Sequence, residues 1–179
     1  MAFQDLVSRF GRPTTVSLGE HLFRQGDTSR ELYVVTDCLL KGYYLTEDGQ
    51  ERIKSFLMHG DVIGSLSALK GNGVCSFNLV CVKPGTVIAV DFDAVHEAAR
   101  QDVELSAAIA DFLIAFGMKK EQREYELLCL SAEERYRRLL DTQPELLQLV
   151  NQADIALYLG ITPVGLSRIK KRVQHKPGT

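Results

Sequence analysis

Five basic side chains and no acidic one follow Asp154: Arg168, Lys170, Lys171, Arg172 and Lys176. The first 154 residues hold all 23 Asp and Glu but only 16 of the 21 Lys and Arg. A local excess of cations in an acidic chain does one kind of chemistry well, which is to hold an anion. Lys and Arg neutralise phosphates and release condensed counterions, so such binding weakens with salt. An Arg also donates two parallel hydrogen bonds to a guanine edge, and a Ser contacts bases or phosphates. Other chemistries lack their residues. Cys38, Cys75, Cys81 and Cys129 form no C-x-x-C, and His21, His59, His96 and His175 form no H-x-H or H-E-x-x-H. Scattered cysteines of this kind read as buried thiols of a reducing compartment. The expectation is no metal, no cofactor and no enzyme.

The cations must be carried by a rigid element, and "NQADIALYLGITPVGLSRIKKR" (Asn151 to Arg172) supplies one. Asn151 reads as an N-cap, with Asp154 in the first turn. Ile155 and Leu159 share a face, and Ala156 lets a second helix cross closely. Gly160 ends the first helix. Thr162 caps the next one and Pro163 opens it. Leu166, Ile169 and Val173 form its buried stripe. This is a helix-turn-helix pattern; the alternative is an ordinary helical hairpin with a solvated basic face. The outward face is Thr162, Pro163, Val164, Ser167, Arg168 and Lys171. Arg168 is the candidate base reader, and Lys170, Lys171, Arg172 and Lys176 are candidate phosphate contacts.

The rest of the 179 residues is ordinary globular material, 45% hydrophobic and 25% charged. No apolar run spans a membrane. "MAFQDLVSRFGRP" has no basic start followed by an apolar core, so the expected location is cytoplasmic. Ten of the 14 glycines lie between Gly11 and Gly85, among short β-rich runs. Asp48-Gly49 reads as a hairpin turn. This texture predicts a sandwich, jelly roll or barrel over 1–100. A helix is expected over 101–130, with two apolar stripes. One is Leu105, Ile109, Phe112 and Phe116; the other is Val103, Ala107, Ala110 and Ile114. The first is assigned to a second copy of the chain, the alternative being a helix buried wholly within one copy. Ser131 and Glu134 form a capping box that opens the unit 131–179, and Gln143-Pro144 ends its first helix.

This order resembles the Crp/Fnr family of bacterial transcription regulators. The likeness runs through Gly26-Asp27, Leu32-Tyr33, Gly49, Gly60-Asp61 and Gly64, with Asp37-Cys38 where a glycine is usual, and the "YLGITP…LSRIKKR" ending supports it. The resemblance implies an α+β protein: an N-terminal jelly-roll β-barrel of the cyclic-nucleotide-binding type, a long dimerisation helix and a C-terminal helix-turn-helix. It also implies double-stranded DNA as partner, a homodimer and contact with RNA polymerase. The effector pocket would be Gly64, Ser65, Leu66, Cys75 and Ser76. Members that bind cyclic AMP carry Gly-Glu and then Arg-Ser or Arg-Thr; here Ser65 follows Gly64, and the pair is Cys75-Ser76. Cyclic AMP binding is therefore not expected. No cysteine precedes Cys38, against an N-terminal iron–sulfur cluster. The sequence stops at Thr179, so a truncated helix-turn-helix without a full wing is expected. Pro163, Val164 and Gly165 stand where many members carry Arg or Glu. The leading reading is a DNA-binding regulator on a two-fold symmetric operator. The alternatives are a ligand sensor or interaction protein without operator binding, and a cupin-type enzyme.

Overall fold

The computed structural model describes residues 3–174, which divide into two compact units within one long helix, between Ala115 and Phe116. The first unit opens with α1 (Phe3–Phe10) and carries eight strands: β1 (Gly11–Val16), β2 (His21–Phe23), β3 (Glu31–Val35), β4 (Leu39–Leu45), β5 (Glu51–Leu57), β6 (Val62–Ile63), β7 (Asn78–Lys83) and β8 (Gly85–Asp91). They form two four-stranded antiparallel sheets, ordered β1-β8-β3-β6 and β2-β7-β4-β5. Alternation builds the core between them. Tyr33, Val35, Val87 and Ala89 come from one sheet; Phe23, Leu40, Leu79 and Cys81 come from the other, and Phe77 completes the cluster. The Asp48-Gly49 turn joins β4 to β5 as expected, with Gly49 at φ +77.

The sheets are not closed into the barrel that the sequence suggested. Closure needs a hydrogen-bond ladder that continues all round. Here the ladders stop at edge strands as short as β6, with two residues, and β2, with three. The outer face of the first sheet is covered by helices. Val34 and Val90 pack with Val7 and Phe10 of α1, Val95 of α3 (Phe92–Ala99), and Leu105 and Ile109 of α4 (Val103–Cys129). A short α2 (Leu66–Lys70) lies between β6 and β7.

The second unit follows the local signals closely. α5 (Ala132–Thr142) starts at the Ser131/Glu134 capping box and stops at Gln143, before Pro144. After α6 (Leu146–Leu149), α7 (Gln152–Tyr158) is capped by Asn151, whose side chain accepts from the Asp154 amide at 2.8 Å. Gly160 turns the chain at φ +70. α8 (Pro163–Gln174) is capped by the Thr162 hydroxyl, which accepts from the Gly165 amide at 3.1 Å. Ile155, Ala156, Leu159, Leu166 and Ile169 are buried, as are Leu139 and Leu146; Val173 is half-buried. No described helix is long and apolar enough to cross a membrane.

Candidate nucleic-acid interface

α8 buries Leu166 and Ile169, half-buries Gly165, Lys170 and Val173, and presents its other residues to solvent. Thr162, Pro163, Val164, Ser167, Arg168 and Lys171 are all exposed, so the six outward positions share one surface. The helix N-terminus at Thr162 adds its positive end to that surface. Lys170 and Arg172 are held within the unit. Lys170 donates to the Gln152 side chain at 2.9 Å, and Arg172 pairs with Glu133 at 2.9 Å. Both ties span long stretches of sequence, which is why spacing did not reveal them. Glu133 also binds Arg137 at 3.0 Å. These hydrogen bonds, Arg137 first and then Arg172, hold the Glu133 carboxyl below the ordinary glutamate range. Lys176 and His175 lie outside the described residues.

Around the predicted effector pocket, the polar groups bond to each other. Ser65 is 2% exposed and stands at the N-cap of α2, yet makes no side-chain cap. Its hydroxyl accepts instead from the Ser76 amide at 3.1 Å. Cys75 is buried; its amide donates to the Asp27 carbonyl at 2.7 Å and its carbonyl accepts from Gly26 at 2.9 Å. Burial pushes the Cys75 thiol up, and a thiol has no cationic form to pair with a phosphate. Gly64 serves packing: a Cβ there would meet the Leu32 side chain at 2.7 Å. Leu66 and Ser76 are exposed. Phe77, buried against Phe23 with ring centroids 5.0 Å apart, fills the space between the sheets. A groove of about 650 Å³ opens beside Gly26–Glu31 and Tyr33. Its charges are already engaged: Arg30 pairs with Asp93, and the Tyr33 hydroxyl donates to Glu31 at 2.8 Å.

The stripe of α4 assigned to a second copy is partly used within its own unit. Leu105 is buried in the core of its own unit with Ile109 packed beside it, so neither is available to a partner. Phe112 and Phe116 are half-buried. The exposed stripe is the other: Val103 is 86% and Ile114 63% exposed, with Ala107 and Ala110 exposed between them. Both stripes are apolar, so periodicity does not show which one is internal. Cys38, Cys75 and Cys81 are buried thiols, that of Cys38 pushed up to about 11 chiefly by burial, while Cys129 is exposed. Among the described residues, no group of three His, Cys, Asp or Glu is placed to hold a metal.

The fold is shared with known proteins. The cyclic nucleotide-binding domain family matches residues 13–102. The fumarate and nitrate reduction regulatory protein of Vibrio cholerae is 26% identical over 174 residues, covering 91% of this chain and 69% of that protein. Its Escherichia coli K12 counterpart is 24% identical over the same shares. In structure, FixK2 from Bradyrhizobium japonicum superposes with a TM-score of 0.79 at 21% identity, covering 92% of this chain and 85% of that one. The Thermus thermophilus catabolite activator protein gives 0.57 at 22% identity, covering 98% and 86%. These superpositions show a shared fold.

Proposed function

The chain belongs to the cyclic nucleotide-binding domain family, and we propose that it is a DNA-binding transcription regulator of the Crp/Fnr type, a homodimer whose two α8 helices read a two-fold symmetric site. The observation that carries the reading is the exposed face of α8, where Arg168 and Ser167 stand beside the capped N-terminus. In a major groove, the N-terminal residues of such a helix meet base edges. Arg168 donates to guanine, Val164 touches a thymine methyl, and Lys171 with the helix terminus holds phosphates. Lys170 and Arg172 act by steadying the helix through Gln152 and Glu133.

The partner copy is held by the exposed stripe Val103, Ala107, Ala110 and Ile114. The two alanines let a second helix approach closely. An Ile114→Asp variant faces two carboxylates across the two-fold axis, a cost of several kcal/mol; sedimentation should show a monomer, and an unchanged dimer would move the interface elsewhere. Cyclic AMP is not the effector. The charged partner that its phosphate needs is replaced by Cys75, and the Ser65 hydroxyl already occupies the Ser76 amide. A cytoplasmic location and contact with RNA polymerase belong to the same proposal.

The test is selection of duplexes from a random pool by the purified chain at about 0.15 M salt. An inverted repeat with half-site centres about 34 Å apart is expected. Binding without any sequence preference would favour an interaction protein of this fold that does not read DNA.

A further inference from the structure

In the second unit, two arginines take no part in the α8 surface and grip the ends of two helices. Arg123, near the end of α4, donates to the Tyr158 carbonyl and lies over the Tyr158 ring, 4.0 Å from its centroid. Arg135 of α5 donates to the Leu159 carbonyl at 3.1 Å, and also to the Leu130 and Glu126 carbonyls at 2.5 and 3.4 Å. The final carbonyls of α7 and α4 are thus received by two guanidinium groups. Cations at helix C-termini complement the helix dipole. Glu126 closes the cluster, 2.7 Å from Arg138 and 3.8 Å from Arg123.

The cluster is costly for a purely stabilising one. The Arg123 side chain is only 17% exposed, and its Nε is buried without a hydrogen-bond partner. Apolar residues of the same volume often hold such a junction as firmly. What directional bonds to backbone carbonyls add is a single angle. That angle passes directly to α8. Only the turn at Gly160–Thr162 separates it from α7, and the Ile161 amide is bonded back to Ala156 at 2.9 Å.

We infer that Arg123 and Arg135 are positioning residues that fix α7, and with it the recognition helix, against the end of α4, and so set which half-site spacing the dimer accepts. This rests on the dimeric reading above. In a dimer, each α8 carries its own half-site specificity, whereas the distance between half-sites depends on how rigidly each α8 is held. Loosening the clamp should therefore alter spacing and leave base preference alone.

The experiment uses the whole chain and a duplex pool in which the selected half-sites are fixed and the spacer length varies. The wild type should enrich one spacing, with a two-base-pair change costing about tenfold or more. Arg123→Met should recover the same half-sites while the penalty falls below about threefold. Arg123→Lys, which keeps the charge but not the fork, should fall between. Tyr158→Leu removes the stacked ring and leaves the carbonyl; it should broaden spacing too, and it stands in should Arg123→Met not fold. Unchanged single-spacing selection by the folded variants overturns the inference, as does loss of half-site preference together with spacing. A wild type that enriches its half-sites singly and at no fixed spacing overturns it while α8 keeps its DNA-reading role. A wild type that enriches no sequence overturns the functional reading first.

Discussion

Around Ser65 the hydroxyl is turned inward onto the Ser76 amide, whereas on α8 the Ser167 hydroxyl and the Arg168 guanidinium stand in solvent. Both regions follow a glycine and lie at a helix start, and both contain the small polar residues from which anion sites are built. In the first, every polar group named has a partner within the unit, and Phe77 packs the space between the sheets. In the second, Lys170 and Arg172 are tied inward, while Ser167 and Arg168 stay exposed. Residue type does not make a site; what matters is whether the fold has already satisfied the donors. By that measure α8, rather than the region around Ser65, is the candidate ligand-facing surface.

The largest effect that would separate the two regions is Phe77→Ala. Emptying the inter-sheet core should cost about 3–5 kcal/mol of stability in denaturant titration. The bases chosen by the folded fraction should stay the same; a changed base preference would tie α8 to the inter-sheet core and break the contrast. Arg168→Ala should do the reverse. It should lose about 1–3 kcal/mol of discrimination at one base pair in competition binding, with stability within about 0.5 kcal/mol of wild type. Ser65→Ala removes one hydrogen bond and should lower stability by about 1 kcal/mol, with operator affinity unmoved. The smallest effect is a pH dependence. Glu133 is held below its ordinary value by Arg137 and Arg172, so its stabilisation is complete above the unfolded value and is lost as pH falls through the folded one. Thermal melting between pH 5 and 3 should fall less steeply for Glu133→Gln than for wild type.

Much of the second unit was legible because its signals are local. Ser131 with Glu134, Asn151, Gly160 and Thr162 each act within four residues, and each caps or ends the helix that the spacing predicts. The hairpin at Gly49 is local in the same sense. What stayed hidden depends on residues far apart in the chain. Barrel closure is decided by ladders among eight strands, and two short edges left it open. The choice between the α4 stripes is decided by what Val34 and Val90 need covered, and Leu105 covers it. Arg172 and Glu133 are 39 residues apart, and Arg123 and Tyr158 are 35 apart, distances at which periodicity carries no information. The exposed face of α8 could be read from the sequence, whereas the ties of Arg123 and Arg135 to α7 could not.

The most direct test of the contrast is one titration. The selected duplex, fluorescently labelled, is titrated with the purified chain at about 0.15 M salt, with and without saturating cyclic AMP, and binding is read by anisotropy. The account predicts tight binding in both cases, with Kd values within about twofold, because the cradle at Ser65 and Ser76 is already satisfied. Tightening of about tenfold or more with cyclic AMP would contradict it, and would return the sensing chemistry to the space between the sheets.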